Sequence, residues 1–226
     1  MTYITIATYN IEKNGQSSIP DKQGKVSDFV AYCINRGVDV IFLCEVHSAR
    51  VDDYVNFLRS VYSEHYECES LPGGYSNAYV VIHKKSVKFT LSHDQLQGLN
   101  RNFLLCTIED KLGVGFAHFK SGQTGLTRTQ IENAAEFLQS MLPGTWAIAG
   151  DMNWDMAKAN QLQLPAGSHW ASSWPDMTQA KGGILDWCLA GQRVNVTAVQ
   201  GYAELHQAFQ EMTDPDHRPV LFQLEF

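Results

Sequence analysis

The stretch TWAIAGDMNWD, residues 145–155, sets four apolar residues, Trp146 to Ala149, ahead of a glycine. It then spaces Asp151, Asn153 and Asp155 two apart. A short apolar run closed by glycine reads as a buried strand. Acceptors gathered just past its end read as one wall of a polar site, because α/β folds bind ligands at strand carboxyl ends. Asp and Asn after a strand also serve as turn and N-cap residues, so the meaning of this stretch depends on its surroundings.

The same arrangement recurs on both sides. Residues 3–8 read as a β-rich strand, and Asn10 follows it. Between residues 25 and 36, Val26, Phe29, Val30, Cys33 and Ile34 recur at helical spacing, with Gly37 at the C′ position. A strand over 38–44 delivers Glu45, and a second helical pattern follows at about 51–61. Consecutive strands are then expected at 78–82, 87–91, 103–108 and 114–119, the last running into His118. A helix over about 127–141 leads into the 146–149 strand. Beyond a long polar loop come strands at 184–190, 194–199 and 219–224. Helices and strands do not keep alternating, which excludes a regular βαβ winding and predicts two packed sheets with helices outside.

The chain has 226 residues, 44% of them hydrophobic, which suits one domain over 1–226 with a proper core. No run approaches the ~20 apolar residues of a membrane helix, so no membrane span is expected. The N-terminal MTYITIATYN lacks a basic region and an apolar h-region, so no secretory signal is expected. Five cysteines without CxxC spacing predict free thiols in a reducing compartment, with the cytoplasm favoured over delivery or secretion without a Sec signal. A net charge of −7 argues against a passive nucleic-acid-binding module. It argues less against an enzyme whose carboxylates hold a cation.

Collected from the strand ends, the polar residues are Asn10, Glu45, His118, Asp151 with Asn153, Asp186, and Asp216 with His217. Glu45 and Asn10 offer the oxygens that a hard cation such as Mg²⁺ prefers. The two histidines suit proton transfer near neutral pH. Asp186 lies inside the apolar run Leu185–Leu189, where a charge is costly unless paired, so it requires a partner. Taken singly, each of these residues has an ordinary structural explanation.

Taken in order, ATYNIE, IFLCEV, GFAHFKSG, AIAGDMN, GILDWCLAG and DPDHRPVLFQL span residues 7 to 224. They resemble the endonuclease/exonuclease/phosphatase superfamily, which includes deoxyribonuclease I, cytolethal distending toxins, sphingomyelinases and inositol phosphatases. The resemblance implies an α/β fold, a four-layer α/β/β/α sandwich, and phosphoester hydrolysis dependent on Mg²⁺ or Mn²⁺. By that resemblance Glu45 is the main metal ligand, with Asn10 beside it and Asp216 as a second contributor. His118 and His217 are the paired histidines, and Asp186 orients His217. Asp151 and Asn153 position the nucleophile and the scissile phosphate. Arg101 is similar to an arginine used on substrate phosphate, and Lys120 and Lys181 are further substrate-binding candidates.

The chain also departs from the pattern. The segment GGYSNAYVV has no acid where a glutamate usually pairs with the first histidine, which leaves Asn77 or Tyr79 as the partner of His118. Pro215 stands where a serine usually precedes the Asp-His pair. Histidine at 118 separates the chain from the apurinic-site endonucleases.

In the implied reaction His217 is the base, with Asp151 competing, and His118 protonates the leaving oxygen; the two histidines could also exchange roles. HFKSG followed by Arg128 and Gln130, with Arg101, favours a DNA endonuclease acting as a monomer without an obligate protein partner. The alternative is a phosphatase acting on phosphoinositides or other small phosphomonoesters. A non-catalytic binding domain is a third reading, disfavoured because every main position is filled. Trp170 and Trp174 are read as core rather than as a membrane-contacting loop.

Overall fold

A computed structural model describes residues 1–14, 20–74, 77–94, 103–199, 212 and 215–226. Its strands are β1 (Tyr3–Asn14), β2 (Val40–His47), β3 (Tyr66–Gly74), β4 (Asn77–Lys84), β5 (Phe89–Asp94) and β6 (Phe103–Ile108). They continue with β7 (Leu112–His118), β8 (Trp146–Asp151), β9 (His169–Ala171), β10 (Asp186–Ala190), β11 (Asn195–Ala198) and β12 (Val220–Glu225). The helices are α1 (Pro20–Asn35), α2 (Val51–Tyr62) and α3 (Thr124–Met141). Among the described residues, no helix is long and apolar enough to cross a membrane.

The strands form two six-stranded sheets. One has the order β11-β12-β1-β2-β4-β3 and the other β5-β6-β7-β8-β10-β9. Position by position, the two sheets share the same pairing senses. The one parallel pair is β1 with β2 in the first sheet and β7 with β8 in the second; every other pair is antiparallel. Each parallel pair needs a crossover, and α1 and α3 supply them.

Strand alternation builds the layers. In β8, Ala147 and Ala149 join the core shared by both sheets, whereas Trp146 and Ile148 pack on the opposite face with Ile131, Ala134, Ala135 and Leu138 of α3. Phe42 of β2 stacks on Phe116 of β7 across the sandwich, with ring centroids 4.8 Å apart. On the outer side of the first sheet, Val26, Phe29, Val30 and Cys33 of α1 and Val51, Val55 and Leu58 of α2 are buried in the same core. The result is the expected helix–sheet–sheet–helix sandwich. All five cysteines are buried and free, and burial pushes the Cys33 and Cys106 thiols well up.

Three features differ from expectation. β1 runs on to Asn14 through an irregularity in its pairing with β2. β3 and the short β9 were not anticipated: β3 is an edge strand with Glu67 and Pro72 exposed, and it carries Pro72-Gly73-Gly74, so the sequence there reads as loop. Trp174 is core as expected (3% exposed), but Trp170 on the short edge strand β9 is 37% exposed.

Gly150, directly before Asp151, has φ +132°, and a Cβ there would lie 2.4 Å from the carbonyl oxygen of Ala117. Only glycine lets β8 approach β7 so closely at this point. Gly150→Ala is therefore expected to lower unfolding stability by about 3 kcal/mol or more. Gly122→Ala, at φ +73° with nothing within 4 Å, should lose only ~1–2 kcal/mol. Urea denaturation of the two variants checks this.

Candidate active site

At the carboxyl ends of the parallel pairs, three hydrogen-bonded contacts cross from one sheet to the other. The Asn10 amide, where β1 becomes irregular, donates to Asp151 Oδ2 at the end of β8, 3.0 Å. Glu45 Oε1 near the end of β2 lies 3.0 Å from His118 Nε2 at the end of β7. His217, just before β12, places Nδ1 2.8 Å from Asp186 Oδ2 at the start of β10. Within the second sheet, Asp151 is in register with both His118 and Asp186. The groups foreseen at separate strand ends therefore form one continuous edge.

Local backbone irregularities aim them. The pairing of β2 with β4 shifts register between Leu43 and Val46, and Glu45 within that bulge has φ +58°. A bulge re-aims a side chain that regular pleating would send elsewhere. β1 shifts between Asn10 and Asn14, where Glu12 has φ +45°. Asn153 sits at φ +48° in the turn after β8. Left-handed non-glycine residues cost of order 1–3 kcal/mol each and tend to cluster at functional sites.

Asp151 is the most heavily bonded group of the edge. Oδ1 accepts from the Asn153 backbone N–H at 2.9 Å, and Oδ2 accepts from the Asn10 and Asn153 side-chain amides. The Asn153 amide also donates to the Phe119 carbonyl at 2.9 Å. A carbonyl can only accept, which fixes the orientation of that amide. Both Asn153 amide hydrogens are thus used inside the protein, leaving Oδ1 as the atom to face an incoming group. Asn10 Oδ1 accepts from the Glu12 backbone N–H at 3.0 Å.

Asp186 has the partner its burial required. Thr178, fully buried, accepts from the backbone N–H groups of Leu185 and Asp186 and so pins the start of β10. Gln179 pairs with His217 in an isolated antiparallel bridge, and its amide donates to Asp216 Oδ2 at 2.8 Å. The Asp216 backbone N–H donates to Glu12 Oε2 at 3.1 Å. Burial by itself would lower the pKa of the His217 imidazole, but the carboxylates of Asp186, Asp151 and Asp216 outweigh it and push it up to about 10. Burial raises the Asp186 carboxyl, with Asp151 adding to the rise, while His217 and a hydrogen bond from Thr178 oppose it.

The partner of His118 was left between Asn77 and Tyr79. In the structure its Nε2 meets Glu45, while Tyr79 offers a ring contact, edge-on with centroids 6.3 Å apart. Lys120 follows two residues after His118; its backbone N–H is held by the Gln130 side chain, and Thr127 donates to its carbonyl. Gln130 is thereby used in the framework, and Arg128 is tied to Glu132 at 2.8 Å. Lys181 is exposed, next to the Gln179 that holds its backbone N–H. Arg101 lies outside the described residues. Glu12, Thr178 and Gln179 were not anticipated. Glu12 ends the quoted ATYNIE, and Thr178-Gln179 begins the TQAKGG segment singled out only for its lysine.

The donor set fits a hard divalent cation. Glu45, Asp151, Asp186 and Asp216 bring four carboxylates against the imidazoles of His118 and His217, and Glu12 adds a fifth through the Asp216 backbone. Asp151, Asp186 and His217 come close enough together to share an ion, but their side chains are 1–8% exposed and already satisfy one another. Glu45 and Asp216 keep 20% and 23% of their side-chain surface open. A Mg²⁺-type ion retains several waters, and these two carboxylates give it room to do so.

The sequence model described as the Endonuclease/Exonuclease/phosphatase family matches residues 7–214. A search of curated protein sequences found no match. Among solved structures, TDP2 of D. rerio complexed with single-strand DNA product is similar with a TM-score of 0.68 and 18% identity over 100% of both chains. The human Nocturnin catalytic domain with bound sulfate gives 0.67 and 14%, covering 99% of this chain and 94% of that one. An endonuclease/exonuclease/phosphatase protein from Bacteroides vulgatus gives 0.69 and 13% over 100% of both. At these identities the structural likeness establishes the fold.

The His217 assignment has a testable sign. Its folded pKa is raised from an ordinary 6.5 to about 10. Its stabilising contribution is fully present below pH 6.5 and is lost as pH rises through about 10. In EDTA, urea melts of the wild-type chain should show stability falling between those limits. His217→Gln should remove that part of the slope.

Proposed function

Because the chain belongs to the Endonuclease/Exonuclease/phosphatase family, we propose that the edge joining its two sheets is a divalent-metal phosphodiesterase centre acting on DNA. Membership makes it a hydrolase of phosphoester bonds in a family dependent on divalent metal. The observation that carries the finer reading is the convergence of the three cross-sheet pairs, Asn10–Asp151, Glu45–His118 and Asp186–His217. The likeness in fold to a TDP2 bound to single-strand DNA product supports nucleic acid as the substrate class.

Glu45 and Asp216 would hold Mg²⁺ or Mn²⁺, with Glu12 and Asn10 alongside. When bound, the cation supplies Lewis-acid stabilisation of charge developing on the phosphoryl oxygens. The protein groups then divide the proton work. The sequence left the base between His217 and Asp151; we assign it to Asp151, because three carboxylates hold His217 as an imidazolium. Asn153 keeps the Asp151 carboxylate fixed and turns its own Oδ1 toward the attacking water. His217 presents a charged N–H to a phosphate oxygen, a preorganised form of electrostatic stabilisation. His118 delivers the proton to the leaving oxygen once Glu45 releases its Nε2.

The test sets relaxation of supercoiled plasmid beside phosphate release from phosphoinositides, each with Mg²⁺ and with EDTA. Metal-dependent nicking is expected. Asp151→Asn and His118→Gln should each lower kcat about 10²–10⁴-fold with unchanged circular dichroism. Phosphate release without nicking would replace the DNA assignment with the phosphomonoesterase one. Nicking that survives Asp151→Asn at full rate would overturn the assignment of the base.

A further inference from the structure

A second group of metal-competent side chains lies at the other end of the first sheet. Glu67 and Glu69 alternate along β3 and so share one face. His83 on β4 is in register with Glu67. His83 is 5% exposed and its ring stacks on Phe89 of β5, centroids 4.1 Å apart at 20°. Glu67 and Glu69 keep side-chain exposures of 57% and 45%. Their oxygens stand 3.7 and 3.6 Å from His83 Nε2. That is too far for a hydrogen bond, yet all three ligand atoms lie within 4.8 Å of one another.

The other ring nitrogen decides what Nε2 presents. His83 Nδ1 lies 3.3 Å from the Lys84 carbonyl oxygen. A carbonyl has no proton to give, so Nδ1 carries the hydrogen. Nε2 is then the ring atom turned toward the two carboxylates, close to both and hydrogen-bonded to neither. A metal-binding histidine commonly donates one ring N–H to a backbone carbonyl, which leaves the other nitrogen free to face the ion. Bonds of about 2.0–2.2 Å to a tetrahedral ion separate neighbouring ligand atoms by roughly 3.3–3.5 Å, within a few tenths of the two nitrogen–oxygen distances seen here.

We propose that Glu67, Glu69 and His83 form a peripheral site for a borderline transition-metal cation, Zn²⁺ in particular, with water completing its shell. One imidazole with carboxylates suits Zn²⁺ better than Mg²⁺. The site is separate from the phosphodiesterase edge. Val40, the register partner of His83 on β2, is five residues before Glu45, roughly 15 Å along the strand at ~3.3 Å per residue. Its place in the fold gives it a structural task. β3 is the edge strand of one sheet, and β5, which supplies Phe89, is the edge strand of the other. A cation bridging β3 to the buried His83 would pin the seam between them.

The experiment is calorimetric titration of Zn²⁺, in a buffer containing saturating Mg²⁺, into the zinc-free chain carrying Glu45→Gln, which weakens the first site. One equivalent of Zn²⁺ should bind, and it should raise Tm. Adding Glu67→Gln and Glu69→Gln, both on exposed side chains that leave the core untouched, should weaken that binding at least 100-fold and abolish the Tm shift. Zinc should also move the His83 imidazole ¹⁵N resonances in the Glu45→Gln protein. Binding unaffected by the glutamine pair would overturn the proposal. So would His83 resonances that ignore Zn²⁺.

Discussion

Asp151 is the group on which both sheets close. One carboxylate accepts from Asn10 of the first sheet and from the backbone and side chain of Asn153, and its Oδ2 lies 3.9 Å from His217 Nε2. It is 2% exposed. A buried carboxylate is costly unless its lone pairs are met, so every neighbour is constrained: Asn10 must stand at the irregularity of β1, Gly150 must let β8 press against β7, and the turn after β8 must fold back on itself. The two parallel strand pairs then present their carboxyl ends to each other, which brings Glu45 to His118 and Asp186 to His217.

Placing charge this way opposes stability. Removing a buried charge's partner is generally more destabilising than replacing the whole pair with apolar groups, so Asp186 and His217 act as a unit. Thr178 and Gln179 support that unit from an irregular loop rather than from a strand. The left-handed backbone at Glu12, Glu45 and Asn153 adds strain at the same edge. The core beneath carries no comparable burden: sheet faces and helices meet through aliphatic and aromatic side chains, and the cysteines behave there as small hydrophobes.

Much of this was legible in the sequence. Apolar runs gave most strands, and the break in helix–strand alternation gave the two-sheet sandwich. Polar residues at the close of those runs gave Asn10, Glu45, His118 and Asp151, because the strand end fixes where such a residue stands, and a charge inside an apolar run gave Asp186. β3 was hidden because it is an edge strand with exposed positions and ends in Pro-Gly-Gly. Glu12, Thr178 and Gln179 were hidden for another reason: their roles come from a bulge and from one isolated bridge, and neither leaves a periodic signal. The partner of His118 was sought on β4, where the pattern lacks its acid, whereas the contact comes from Glu45 across the sandwich. No single-strand pattern encodes a pairing between sheets.

That contact gives the most direct test. Glu45 Oε1 lies 3.0 Å from His118 Nε2, and the account has the same carboxylate hold the divalent cation. It cannot serve both fully. The measurement is the His118 imidazole resonance by NMR in EDTA and during titration with Mg²⁺. The account predicts a saturable Mg²⁺-induced shift of His118 that is lost in Glu45→Gln. A His118 signal that stays fixed while the enzyme becomes fully active would contradict it, because the cation would then be held without Glu45.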